Sequence, residues 1–170
     1  MRQGIRRLLE CCMETSAFDS VFRRSDEVNE YAFSIVDDPA VQGRSLFLFV
    51  NYMDGHALYV PPPPYNTLFL GGDQAIEYPW QKVIECDLFE KNRGISDLAK
   101  ARLIGQYDGG MASQDAAFGQ LVEGLKRRGI CERALIIVTA DHGEAFGERG
   151  PMEHGVSVYE DQVQVPMLIK

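Results

Sequence analysis

No run in this sequence approaches the ~20 consecutive apolar residues that a membrane-spanning helix needs. The start, MRQGIRRLLECC, is basic but lacks the continuous apolar segment of a signal peptide. The chain as written is therefore expected to be soluble, and its compartment is left open. Cysteine is sparse: Cys11, Cys12, Cys86 and Cys131 show neither zinc-ligand spacing nor a disulfide framework. Basic charge is short as well, 17 Lys and Arg against 25 Asp and Glu for a formal charge of −8. A nucleic-acid surface normally shows a basic patch, so no nucleic-acid partner is expected. The same balance would repel a polyanionic substrate at long range, and a bound cation or local basic groups would have to overcome it. No internal repeat appears, and no low-complexity tract beyond Pro61 to Pro64.

What is present suffices for one domain: 170 residues, 45% of them hydrophobic, can bury a real core. The most informative stretch is ALIIVTADHGEAFGERGPMEHG, Ala134 to Gly155. Its apolar, β-branched run from Leu135 to Val138 reads as a fully buried strand of a parallel sheet. In open α/β sheets ligands bind beyond the carboxyl ends of strands, which is where Asp141 and His142 fall. A carboxylate and an adjacent imidazole are good ligands for a divalent metal. Gly143 would let the backbone turn sharply, and His154 could fold back over the same crevice. On chemistry alone, an Asp-His pair after a strand is more often a helix cap beside a surface histidine than a metal site.

In chain order, Met1 to Glu14 reads as a short amphipathic helix with Ile5, Leu8 and Leu9 apolar. A second helix starts at Ser25, with Ser25-Asp26-Glu27 as cap and Val28, Tyr31, Ala32 and Ile35 on one face, and ends at Asp37-Asp38-Pro39. Residues 45–52, SLFLFVNY, read as a buried central strand. Met53-Asp54-Gly55-His56 follows it, then four prolines that form a stiff surface arm. By itself His56 is a loop histidine. Thr67 to Lys91, with Trp80 and Val83-Ile84, reads as a lid or insertion over the site. Ile95 to Arg128 is helical in pattern and stops at Gly129, with Lys126, Arg127 and Arg128 at the negative end of the dipole. A helix leading into the strand at 134–138 is an α-then-β unit and implies a parallel sheet with right-handed crossovers. A helical turn, VYEDQ, and a last strand, VPMLIK, finish the chain.

Three blocks carry a family resemblance. TADHGE, then EHG and VYEDQVQVPMLIK, resembles the distal motif of the sulfatase and alkaline-phosphatase superfamily, S/T-D-H-G-E, H-G, L-Y-E and V-P. FLFVNYMDGHALYVPPPPY resembles the segment in which an apolar strand ends in N/H-Y-x-D-P-H, except that Gly55 and Leu58 stand where prolines are usual. YDGGMASQDAAFGQLVEGLKRRG resembles the helix that places Tyr107, Asp108, Asp115, Gly119 and Leu121 on marked positions. Without the comparison Asp108 is a helix cap and Asp115 a solvated face.

The resemblance implies an α/β fold, a mostly parallel sheet flanked by helices in a partial alkaline-phosphatase/sulfatase-like arrangement. Residues 1–24 would be an N-terminal extension and 25–170 a partial catalytic domain. It implies metal ligation by Asp141 and His142, with manganese or zinc favoured by the imidazole and calcium possible. His56 and His154 would contact the transferred group or protonate the leaving oxygen. The substrate of the intact parent would be a sulfate ester, or a phosphate, phosphonate or phosphoglycerol-type ester. The nucleophile motif C-x-P-S-R and the early acidic metal motif are absent from the 170 residues. The chain thus resembles the C-terminal part of the catalytic domain, and little or no turnover is expected of it alone; a non-catalytic, degenerate relative is the competing reading.

Overall fold

The computed structural model describes residues 22–71 and 96–170, apart from 58, 151 and 156. The expected helix at Met1–Glu14, with Cys11 and Cys12, lies outside the described residues, as does most of the 67–91 insertion. Helix α1 spans Ser25–Val36, a single short turn α2 spans Tyr65–Leu68, and the long helix α3 spans Asp97–Arg127. Ribbon strands β1 (Ile137–Thr139), β2 (Ala145–Phe146) and β3 (Met152–Glu153) follow, then the turn α4 (Glu160–Val163) and strand β4 (Met167–Ile169).

Helix α3 is bounded as its sequence dictates. The Ser96 hydroxyl accepts from the Ala99 amide at 3.2 Å and caps its start. Its end is a Schellman motif: Gly129 has φ +66°, its amide donates to Lys126 O, and the Ile130 amide donates to Leu125 O. Asp108 lies inside this helix, so it is not the helix cap expected of it without the family comparison. Asp115 is exposed, as a solvated-face residue should be.

Helix α1 departs from expectation at its start. Ser25 is not the cap but the first helical residue, and it is buried. Its amide donates to the Asp54 carboxylate at 3.1 Å, and its hydroxyl donates there too. A carboxylate from a distant loop therefore faces the positive end of the α1 dipole. The buried face is Ser25, Asn29, Ala32 and Val36, rotated from the predicted one, because Tyr31 and Ile35 point outward. Asn29 explains the rotation: its side chain donates to Ala117 O of α3 at 2.7 Å and accepts from the Tyr52 hydroxyl at 2.5 Å. A buried amide that makes both bonds outranks two tyrosine- and isoleucine-sized apolar contacts that can stay half wet. At the other end, Arg128 donates two bonds, 2.7 and 2.6 Å, to the Asp37 carboxylate and lies over the Phe33 ring.

Glycines on α3 let the loops come in close. A Cβ at Gly109 would sit 2.5 Å from Tyr65 O, and one at Gly110 would sit 2.5 Å from Asp54 O. The core is small and aromatic: Tyr59, Leu103, Phe146 and Met152 are buried together, with Ala57, Ile104 and Tyr107 packed against them. The rings of Tyr59 and Tyr107 meet edge to face at 5.7 Å, and those of Tyr107 and Phe146 at 5.2 Å.

The sheet differs from expectation. Both ladders among the described residues are antiparallel, β1 with β4 (Ile137 opposite Ile169) and β2 with β3. The parallel sheet predicted from the helix-then-strand order does not occur among them, since the chain returns from β1 to β4 through the β2–β3 ribbon and the single turn α4, with no crossover helix. The segment 45–52 is neither helix nor ladder, and Phe47 is 90% and Phe49 79% exposed, so it is not the buried strand its composition predicts. Leu135, Ile137, Met167, Leu168 and Ile169 are exposed as well. An apolar run predicts that a strand should be covered, but the cover must come from elements that neighbour it.

Two outcomes follow for stability. Gly119 faces open space in mid-helix, so Gly119→Ala should stabilise by roughly 0.5–1 kcal/mol, whereas Gly109→Ala should destabilise by about 1–3 kcal/mol despite the same helix-propensity gain. Chemical denaturation of the two variants compares them directly, and equal stabilisation would mean that the close approach to Tyr65 is not real. Burial, with the Glu144 carboxylate second, raises the hydroxyl pKa of Tyr59 and of Tyr107 above the ordinary 10.0, and burial pushes Tyr52 up to about 12. Below pH 10.0 both folded and unfolded chains hold these protons; above it the unfolded chain loses them first. Unfolding free energy should therefore fall as pH rises past that value, and the decline should be shallower in Tyr59→Phe.

Candidate functional site

The loop carrying His56 is held on three sides. Asp54 is pinned to the start of α1 through Ser25. The Gln114 side-chain oxygen, in the orientation that satisfies its neighbours, accepts from the amides of Asp54 and Gly55 at 3.1 Å each. The His56 amide donates to Met53 O at 3.0 Å. Gly55, where relatives usually have proline, is buried against Met111 of α3, so the loop is fixed by packing and hydrogen bonds instead of by a proline ring. Four residues on, Tyr59 takes a left-handed backbone, φ +41°, unusual for a bulky side chain and tolerated here because its ring is locked in the core.

The second arm leaves β1 at Thr139. Asp141 is 90% exposed at its side chain, and its Oδ1 accepts from the His142 amide at 3.1 Å. Gly143 is needed for close approach and not for a sharp turn: it has no left-handed φ, its amide donates to Gln162 O at 2.8 Å, and a Cβ there would lie 2.2 Å from Asp161 O. Gly155, just after His154, does have a left-handed φ of +84°, and so does Glu153 before it at +62°.

These arms bring the predicted histidines together. His142 and His154 stack with ring centroids 3.8 Å apart, and His56 meets His154 edge-on at 5.4 Å. Phe22 packs against the other side of His56 at 5.3 Å. Each ring has its Nδ1 at an acceptor: Ala57 O for His56 and Gly143 O for His142, both at 2.8 Å, and the Glu144 carboxylate for His154 at 3.2 Å. Carbonyl and carboxylate oxygens can only accept, so each neutral ring carries its proton on Nδ1 and leaves Nε2 free. Free Nε2 with an anchored Nδ1 is the arrangement found behind metal-ligating and acid–base histidines.

His142 Nε2 lies 3.7 Å from Asp141 Oδ1. Two donors each about 2.0–2.2 Å from one ion stand roughly 3–4 Å apart, so this pair fits a shared divalent metal. Among the described residues no set of three or more His, Cys, Asp or Glu is arranged to hold an ion, so the pair is a partial donor set. Asp141, His142, His154, Ser157 and Gln162 line a cleft of about 300 Å³ beside it. A larger depression of about 520 Å³ lies elsewhere, between Glu148, Arg149 and Glu160, and contains none of the predicted residues. We assign no chemistry to it.

Three participants escaped the sequence. Glu144, with a side chain only 5% exposed, contacts His154. Tyr59, whose hydroxyl pKa the Glu144 carboxylate helps to raise after burial, packs in the core next to it. Gln114, seven residues beyond Tyr107 on α3, clamps the His56 loop. Glu144 was visible as the last letter of TADHGE, but its burial was not, since nothing in the local pattern distinguishes it from a solvated acidic residue.

Comparison with known proteins bears on the family and the fold. The family model described as Sulfatase matches residues 22–170. An endo-4-O-sulfatase of Bacteroides thetaiotaomicron is 26% identical over 110 residues, 65% of this chain and 22% of that protein. A phosphonate monoester hydrolase from Silicibacter pomeroyi superposes with a TM-score of 0.63 at 23% identity, over 86% of this chain and 33% of that one. The likeness to the latter is one of fold, and the chain spans about a fifth and a third of the lengths of these two proteins. With the match extending from Phe22 to the last residue, the chain belongs to the sulfatase family.

Proposed function

We propose that residues 25–170 form part of a metal-dependent ester hydrolase domain and contribute one side of its active site, with sulfate esters as the substrate class. The observation that carries this is the cluster of His56, His142 and His154, each with Nε2 free, beside Asp141 at the cleft. Family members are generally dependent on a divalent metal. Asp141 and His142 would hold that ion, manganese or zinc by the preference of imidazole, and the ion would supply charge stabilisation for the ester oxygens. His56 and His154 would bind the transferred group or move a proton at Nε2 to the leaving oxygen. We also infer that β1 and β4, apolar and exposed on the ribbon they form, belong to a larger, mostly parallel sheet; near-continuous apolar strands are the mark of strands covered on both faces. Residues 1–24 would lie outside this domain. No helix among the described residues is long and apolar enough to cross a membrane.

Phosphate and phosphonate esters share the tetrahedral anionic group and fit the same chemistry, so inhibition by sulfate against phosphate and phosphonate separates these classes. Titration calorimetry of the purified chain with Mn²⁺ or Zn²⁺ tests the metal site. Binding should be detectable and weak, and Asp141→Ala and His142→Ala should each reduce affinity about tenfold or more, the loss expected when one of few donors is removed. With no nucleophile motif in its sequence, the chain should hydrolyse an aryl sulfate no faster than buffer. Turnover lost in Asp141→Ala would contradict the partial-site reading, and metal binding indifferent to both substitutions would favour a non-catalytic relative.

A further inference from the structure

The geometry points to Glu144 as the positioning residue of His154: a buried carboxyl group that sets which ring nitrogen the histidine presents to the cleft. This deepens the functional reading above and rests on it for its purpose, although the contacts themselves do not. Both Glu144 oxygens lie 3.2 Å from His154 Nδ1. Two oxygens equidistant from one ring nitrogen are the arrangement of acceptors around an N–H, so this geometry places the proton on Nδ1 and leaves Nε2 as the unprotonated nitrogen.

The other two histidines obtain the same tautomer from the carbonyl of the next residue, Ala57 or Gly143. Those contacts are local and follow the backbone. His154 is different, because its acceptor is a side chain ten residues earlier, on the far arm of the β2–β3 ribbon. The contact therefore joins the arm of His142 to the arm of His154, and it holds the second ring flat on the first at 3.8 Å.

The plainer alternative is a core carboxylate that the tyrosines satisfy and that touches His154 incidentally. Burying a carboxylate is costly, and an apolar residue of similar size is often as good for stability. A purely structural Glu144 would therefore leave the tautomer of His154 unchanged when replaced.

Two-bond ¹H–¹⁵N correlation spectra of the ¹⁵N-histidine-labelled chain, above the imidazole titration range, read the tautomers directly. In the wild type His154 should be protonated on Nδ1. In Glu144→Met, similar in size and without an acceptor, the unprotonated-nitrogen signal of His154 should move from Nε2 to Nδ1, while His56 and His142 keep theirs. A wild-type His154 protonated on Nε2 would overturn the assignment even if the variant fails to fold, and so would a folded variant in which His154 is unchanged. Metal titration on the same sample is a separate readout, so failure of the metal-site reading and failure of the Glu144 assignment are distinguishable.

Discussion

The interlocking of Tyr59, Tyr107 and Phe146 is the contact on which the rest of the molecule depends. One ring comes from the loop after His56, one from the middle of α3, and one from β2, four residues past His142. Met152, buried in the same cluster, stands two residues before His154. Each histidine is thus within a few residues of a side chain whose burial contributes roughly 1.5–3 kcal/mol. The left-handed backbones at Tyr59 and Glu153 flank the histidines and cost of order 1–3 kcal/mol each, which the packing around them offsets. The core and the candidate site are consequently one structure: what buries the aromatics also aims the rings.

Charge supplies the second constraint. The chain carries a formal charge of −8, and no Lys or Arg lines the cleft beside His142 and His154. Arg149, close by in sequence, is engaged by Asp161 at 3.2 Å and lies over the Tyr159 ring. An anionic ester entering the cleft meets an exposed Asp141 beside the rings of His142 and His154. Repulsion from Asp141 becomes an asset only if a cation sits between the carboxylate and the ester. Electrostatics and the donor spacing at Asp141 and His142 therefore argue for the same missing component.

The sequence was legible where structure is set locally. The end of α3 followed from Gly129, because caps depend on residues within one turn, whereas the Ser96 cap at its start was not singled out. The grouping of His56, His142 and His154 followed from the family motifs, not from any spacing rule. Strand burial was illegible: SLFLFVNY and the run at 135–138 are apolar enough for a sheet interior, yet their exposure is decided by which elements lie alongside. Asn29 and Glu144 were illegible for a related reason. A polar side chain turns inward only where a distant donor or acceptor waits, here Ala117 O and Tyr52 for one and Tyr59 and His154 for the other. Gly143 was read correctly as a required glycine and for the wrong cause, since the backbone it approaches, at Asp161, is 18 residues away in the chain.

The central claim is that Asp141 and His142 form the metal-binding side of an ester-hydrolysis site shared with His56 and His154. Paramagnetic relaxation by Mn²⁺ of the assigned histidine ring signals tests it most directly, because broadening falls steeply with distance from the ion. The account predicts that substoichiometric Mn²⁺ broadens His142 most, then His154 and His56, and that Asp141→Ala abolishes the effect. Broadening centred instead on the acidic depression at Glu148 and Glu160, with the three rings unaffected, would contradict it.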